Sequence, residues 1–184
     1  MIRALSYILL ITGLVLAGLG LHSVWKSHEA EEQAEEQWDN LNRSQPEKPI
    51  HRVPKGETLA RLSIPRLESH WVVLEGADKN ELRRGPGHML QTALPGTRGN
   101  CVIAGHRDTQ FRILRKVEIG EEIAVEIDGH TFVYRVTDHR VVSPADTDPL
   151  RPTKKASLTL VTCYPFYYVG PAPKRFVIRA ELVS

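Results

Sequence analysis

Apolar and polar positions divide the chain into three stretches with different periods. From Ala4 to Leu21 the run ALSYILLITGLVLAGLGL carries no charge, and its length predicts a helix just long enough to span a bilayer. The run exceeds the usual apolar core of a signal peptide, and no clear small-x-small cleavage site follows it, so a retained anchor over residues 1–27 is expected. Arg3 precedes the run and Glu29, Glu31, Glu32, Glu35 and Glu36 follow it. Positive charge kept inside places the rest of the chain on the extracytoplasmic side of the cell membrane, as a single-pass protein.

Residues 28–43, HEAEEQAEEQWDNLNR, put Ala30, Ala34, Trp38 and Leu41 on one stripe at helical spacing, which predicts a short acidic helix acting as a stalk. Pro46, Pro49 and Pro54 then exclude a helix and favour an extended spacer. Stalk and linker together cover 28–56, and a folded domain is expected over 57–184.

In that domain the period becomes two. Ile123, Val125 and Ile127 alternate with polar positions, Asp128-Gly129 supplies a tight turn, and Phe132, Tyr134 and Val136 alternate again, which predicts a β-hairpin. Further strands are expected at 58–64, 71–75, 100–105, 157–163 and 175–183, with short helical turns near 78–83 and 110–116. Short strands punctuated by Gly and Pro indicate an all-β fold, a closed barrel or a sandwich.

Charge and composition narrow the function. The formal net charge is +2 and no basic block of five or more residues occurs, so nucleic-acid binding has no support. No Cys/His grouping has zinc spacing, and Asp146 and Asp148 form no recognisable calcium motif, so they are read as solvated loop acids and no metal is expected. The two cysteines, Cys101 and Cys163, suffice for one bridge or one reactive thiol.

A thiol attacks carbonyl carbon as the thiolate, so a catalytic cysteine needs a histidine to hold its proton and a donor for the developing oxyanion. Strand parity nominates the three parts. In the last strand Phe176, Ile178, Ala180 and Leu182 form the apolar set, which leaves Arg175, Arg179 and Glu181 on the other face. Leu158, Leu160 and Thr162 likewise oppose Thr159, Val161 and Cys163. If Cys101 and Ile103 are core residues, Val102, Ala104 and His106 face outward, and Cys163, His106 and Arg175 can meet outside the barrel. A Cys101–Cys163 bridge needs both side chains on one face, which this parity disfavours unless a bulge, for instance at Gly105, shifts a strand.

TLVTC at 159–163, AGHRDT at 104–109 and a strand-borne Arg175 resemble the signature of the sortase family, over roughly residues 57–183. LPGTRGNCVIAGHRDTQF and TCYPFYYVGPAPKRF are most similar to class D sortases. The resemblance implies a closed eight-stranded sortase β-barrel with short helices, preceded by one N-terminal transmembrane helix. It implies a membrane-anchored cysteine transpeptidase that cleaves an LPxTG-like sorting signal of a secreted protein after threonine, through a thioester. The protein would then be transferred to an amine acceptor in cell wall or pilin, without a cofactor. By the same resemblance Cys163 is the nucleophile, His106 the general acid and base, Arg175 the oxyanion stabiliser, and Thr162 lends its backbone to substrate contacts. Loops such as 138–157 would supply the specificity walls.

Rival residues and readings remain beside these. Arg179 shares the parity of Arg175 but lies farther from the cysteine's end of the strand. His88, in RRGPGHM, is expected to be a turn residue, and His51, His70, His130 and His139 surface or strand positions. An L,D-transpeptidase also combines Cys, His and Arg, but there the arginine follows the cysteine almost directly, where this chain has Tyr164 and Pro165. A non-catalytic membrane-tethered binding module is the other alternative.

Overall fold

The computed structural model describes residues 33, 34, 36, 37, 50–168 and 170–184. The predicted membrane segment and most of the acidic stalk lie outside these residues; Gln33, Ala34, Glu36 and Gln37 are helical. Among the described residues no helix is long and apolar enough to cross a membrane.

Eight strands close into a barrel: β1 Thr58–Ile64, β2 Ser69–Glu75, β3 Gly87–His88, β4 Gly99–Gly105, β5 Glu122–Ile127, β6 His130–Val142, β7 Ala156–Tyr164 and β8 Lys174–Leu182, in the order β1-β2-β3-β4-β7-β8-β6-β5. Among the described residues of the barrel domain, a short helix, α1 Lys79–Leu82, and 3-10 turns at Pro65–Leu67, Gln110–Lys116 and Asp148–Leu150 accompany the strands. The period-two pattern is realised directly, because alternate side chains of a strand face opposite sides. Ile123, Val125 and Ile127 of β5, Leu158 and Leu160 of β7 and Ile178 and Ala180 of β8 all point into one core. Each buried Leu or Ile contributes about 1.5–3 kcal/mol, whereas an exposed pair such as Arg135–Glu122, more than half exposed on both sides, is worth about 0–1 kcal/mol. The apolar core therefore holds the barrel.

The β5–β6 hairpin turns on Asp128 and Gly129, both with positive φ (50° and 82°), as a two-residue turn matched to strand twist requires. The forecast turn near 110–116 is the 3-10 helix Gln110–Lys116. Three residues per turn align i and i+3, so Phe111 and Leu114 are both fully buried while Arg112 and Arg115 share another edge. The Phe111 ring lies so close to Gly105 that a β-carbon there would come within 2.7 Å of it.

β4 and β7 run parallel, whereas β7 and β8 are antiparallel. The C-terminal ends of β4 and β7 and the beginning of β8 consequently share one rim. No shift interrupts the β4–β7 register from Gly99↔Ala156 to Gly105↔Thr162, so Gly105 introduces no bulge.

One expectation is corrected. His88 is not a turn residue; it forms the short β3 and is completely buried. Its Nδ1 lies 2.7 Å from Glu75 Oε2, and its Nε2–H donates to the Ala93 carbonyl at 3.0 Å. Glu75, also fully buried, accepts a second hydrogen bond from Arg52 Nη1 at 2.5 Å. A buried carboxylate with two nitrogen partners ties the incoming chain to β2 and β3, and removing it strands a histidine inside the fold. Glu75→Ala is expected to cost about 3 kcal/mol, the lower end of the range for breaking a buried pair, because the Arg52 side chain is 41% exposed. Urea unfolding of the variant measures this.

Candidate active site

Cys163 and Arg175 are direct register partners across β7 and β8. Side chains so paired stand on one face with β-carbons about 4.5–5.5 Å apart. The face is the outer one: the neighbouring pair Thr162↔Phe176 points inward, with Thr162 and Phe176 buried, while Cys163 and Arg175 are half-buried. On the other side of β7, Gly105 pairs with Thr162 at the end of the β4 register, and His106 is the next residue, leaving β4 at the same rim as Cys163. His106 is exposed, and its carbonyl accepts from Phe111 N at 2.9 Å, fixing the exit from β4 to the 3-10 helix beyond it. Thiol, imidazole and guanidinium thus converge on one rim because three adjacent strands begin or end there.

Thr162 is buried, and its hydroxyl donates to the Gly105 carbonyl at 2.7 Å, which keeps β7 in step with β4. Arg175 Nη1 donates to the carbonyls of Lys174 at 2.9 Å and Ala172 at 3.2 Å. A guanidinium has five N–H donors, so donors remain on Arg175 beyond these two bonds to backbone carbonyls. Beneath the Cys163–Arg175 pair, Tyr164, Phe166 and Phe176 pack ring on ring at 5.3–6.4 Å and close the end of the core. Behind the thiol, Ala104, Val161 and Val177 are aligned across β4, β7 and β8 and form an apolar floor.

The two cysteines have opposite environments. Cys101 is 1% exposed inside the barrel, and burial, with a contribution from the Glu75 charge, pushes its thiol far above the usual range. Cys163 is half-buried on the outer face, and both thiols are free. No bridge joins them. With iodoacetamide the native protein should be modified at Cys163, and Cys101 should react only after unfolding; peptide mass mapping reads both positions.

Other candidates are placed elsewhere. Arg179 pairs with Thr159, deeper along the barrel, and its Nη2 donates to the Pro149 carbonyl at 3.0 Å. Asn100 holds the same segment: its Nδ2 donates to Pro149 O at 2.9 Å and Arg151 O at 3.1 Å, while Thr159 Oγ1 donates to its Oδ1 at 2.7 Å. The β6–β7 connection is thereby pinned against the outer face behind the thiol. Sequence reasoning passed over Asn100, although an amide at an outward position of a largely buried strand was a signal. Asp148 faces Arg140 and Arg151, and His139 lies against the Phe176 ring.

A closed barrel that brings a cysteine, a histidine and an arginine to one rim falls in the class of sortase-fold proteins. A Sortase domain model matches residues 62–183, and the chain belongs to the sortase family, a family of cysteine transpeptidases. Sortase D of Bacillus subtilis is 35% identical over 130 residues, covering 70% of this chain and 66% of the relative. Sortase SrtE1 of Streptomyces coelicolor is 31% identical over 99% of this chain and 57% of its own. The matched stretches thus span somewhat under two thirds of these relatives' lengths. Among solved structures, a Clostridium perfringens sortase D5 transpeptidase superposes with a TM-score of 0.74 at 30% identity, covering 85% of this chain and 99% of that one. The expected likeness to class D is borne out, and neither the L,D-transpeptidase nor the binding-module alternative is favoured.

Proposed function

We propose that the chain is a membrane-anchored transpeptidase that cleaves an LPxTG-like sorting signal and passes the acyl portion to an amine of the cell envelope. The observation that carries this reading is the direct pairing of Cys163 with Arg175, beside His106, at the one rim where β4, β7 and β8 meet. His106 takes the proton of the Cys163 thiol, and the thiolate adds to the scissile carbonyl. The oxyanion that forms is stabilised by the Arg175 guanidinium. His106 then returns the proton to the departing amine as the C–N bond breaks, leaving a thioester on Cys163. An acceptor amine, from cell wall or pilin, adds to the thioester, loses a proton to His106 and releases the thiol.

Thr162 lends its backbone to the substrate, while its hydroxyl keeps the strand end fixed. The apolar floor of Ala104, Val161 and Val177 receives the residues before the scissile bond, and the pinned β6–β7 connection walls them in. Residues 1–27 anchor the chain and residues 28–56 hold residues 57–184 off the membrane on the extracytoplasmic side.

A peptide library assay with the full-length chain tests the reading. Peptides of LPxTG type should be cut after threonine and, with an added amine, converted to the amide. Cleavage confined to peptides lacking that pattern would overturn the substrate assignment.

A further inference from the structure

The residue after the candidate base is an arginine whose partners lie on the far side of the site. Arg107 is 7% exposed, unusual for a side chain that cannot shed its charge. Its Nη2 donates to the Tyr168 carbonyl at 2.7 Å and the Gly170 carbonyl at 3.2 Å, its Nε lies 3.3 Å from Asp108 Oδ1, and the Tyr168 ring stands 5.7 Å from its guanidinium carbon. The carbonyls belong to the β7–β8 loop, the segment between Cys163 and Arg175. The same loop is gripped at Tyr167, whose ring is faced by Arg112 at 5.2 Å and Arg115 at 5.3 Å. Two residues beyond Gly170, the Ala172 carbonyl accepts from Arg175 Nη1.

A continuous path of contacts therefore runs from the His106 strand end, through Arg107 and the loop backbone, to the guanidinium of Arg175. Nη1 of Arg107 is buried without a hydrogen-bond partner, so if the loop lifts and Nη2 loses its two carbonyl acceptors as well, the buried charge keeps only its contact with Asp108, which opposes opening. Released from Ala172, the Arg175 side chain would recover rotamer freedom that must be lost again whenever it meets an oxyanion.

We propose that Arg107 is a positioning residue: by clamping the Tyr168 and Gly170 carbonyls it holds the β7–β8 loop down and presets the Arg175 guanidinium beside Cys163. This rests on the oxyanion role given to Arg175 above. Help delivered only in the transition state lowers kcat and leaves KM nearly unchanged. Arg107→Gln is accordingly expected to reduce kcat by about tenfold or more, and Arg107→Lys, which keeps the charge without the forked donor, to recover part of the loss.

The decisive experiment is a double-mutant cycle on the full-length chain, using a peptide that the library assay shows to be cleaved. If Arg107 acts through Arg175, adding Arg107→Gln to Arg175→Ala should cost less than about twofold, because the group it presets is gone. Hydrogen exchange should show faster exchange at residues 166–172 in Arg107→Gln, with β4 and β7 still protected. Equal fold-losses in both backgrounds, or a general loss of protection across β4 and β7, would make Arg107 an ordinary structural residue and overturn the proposal. Full activity of Arg175→Ala by itself would remove the role of Arg175 and the proposal with it, and it is read from the single variant alone.

Discussion

Cys163→Ala is expected to lower turnover of a sorting-signal peptide by at least about four orders of magnitude, the scale on which loss of the nucleophile affects a catalytic unit whose parts act together. Folding should be unaffected. The side chain is half-buried on the outer face at the end of β7, and it takes no part in the core that Leu158 and Leu160 help to build. Loss of one sulfur there leaves no closed cavity, so the unfolding midpoint should move little. Cys101→Ala gives the contrast. It removes a fully buried core side chain and should lower stability while the turnover of the folded fraction is retained. Initial rates together with urea unfolding of the two variants separate chemistry from packing.

His106→Ala is the second large effect expected, a fall of about 10²- to 10⁴-fold in kcat/KM, the range over which a positioned acid or base contributes. Its exposure at the end of β4 again predicts an unchanged unfolding curve. A spread in leaving-group basicity sharpens the test. If His106 protonates the departing nitrogen, the variant should be impaired least on an activated ester that departs without a proton. Equal impairment on ester and amide would assign His106 to binding or structure.

Local signals were sufficient for part of this. The β5–β6 hairpin was legible because its turn and both alternating strands lie within 18 consecutive residues, and Asp128-Gly129 admits few other conformations. Parity also transferred, since a strand without bulges obeys it mechanically: Cys101 and Ile103 are inside, and Cys163 with Arg175 is outside. The adjacency of β4 and β7 was not legible from pattern. They pair in parallel across a connection that itself contains the hairpin, and no periodicity records which distant strand will be the neighbour. Resemblance of TLVTC and AGHRDT to a known family supplied that link.

The misses have a common origin in long-range polar contacts. Gly85-Pro86-Gly87 reads as a turn and carries His88 with it, because the partner that fixes His88, Glu75, belongs to another strand. Arg107 looked like one more letter of AGHRDT, since the carbonyls that bury it lie 61 and 63 residues farther along the chain. Such polar side chains carry no local pattern, because what fixes them is tertiary pairing.

Transpeptidation through Cys163 requires a covalent intermediate at its sulfur, and mass spectrometry of the enzyme quenched during turnover tests for it most directly. Incubation with a cleavable LPxTG-type peptide, followed by acid quench and peptide mapping, should show the acyl fragment attached to the peptide containing Cys163. A competing amine should diminish that species, and Cys163→Ala should lack it. Steady turnover with Cys163 unmodified throughout, or the acyl group found on Cys101, would contradict the account.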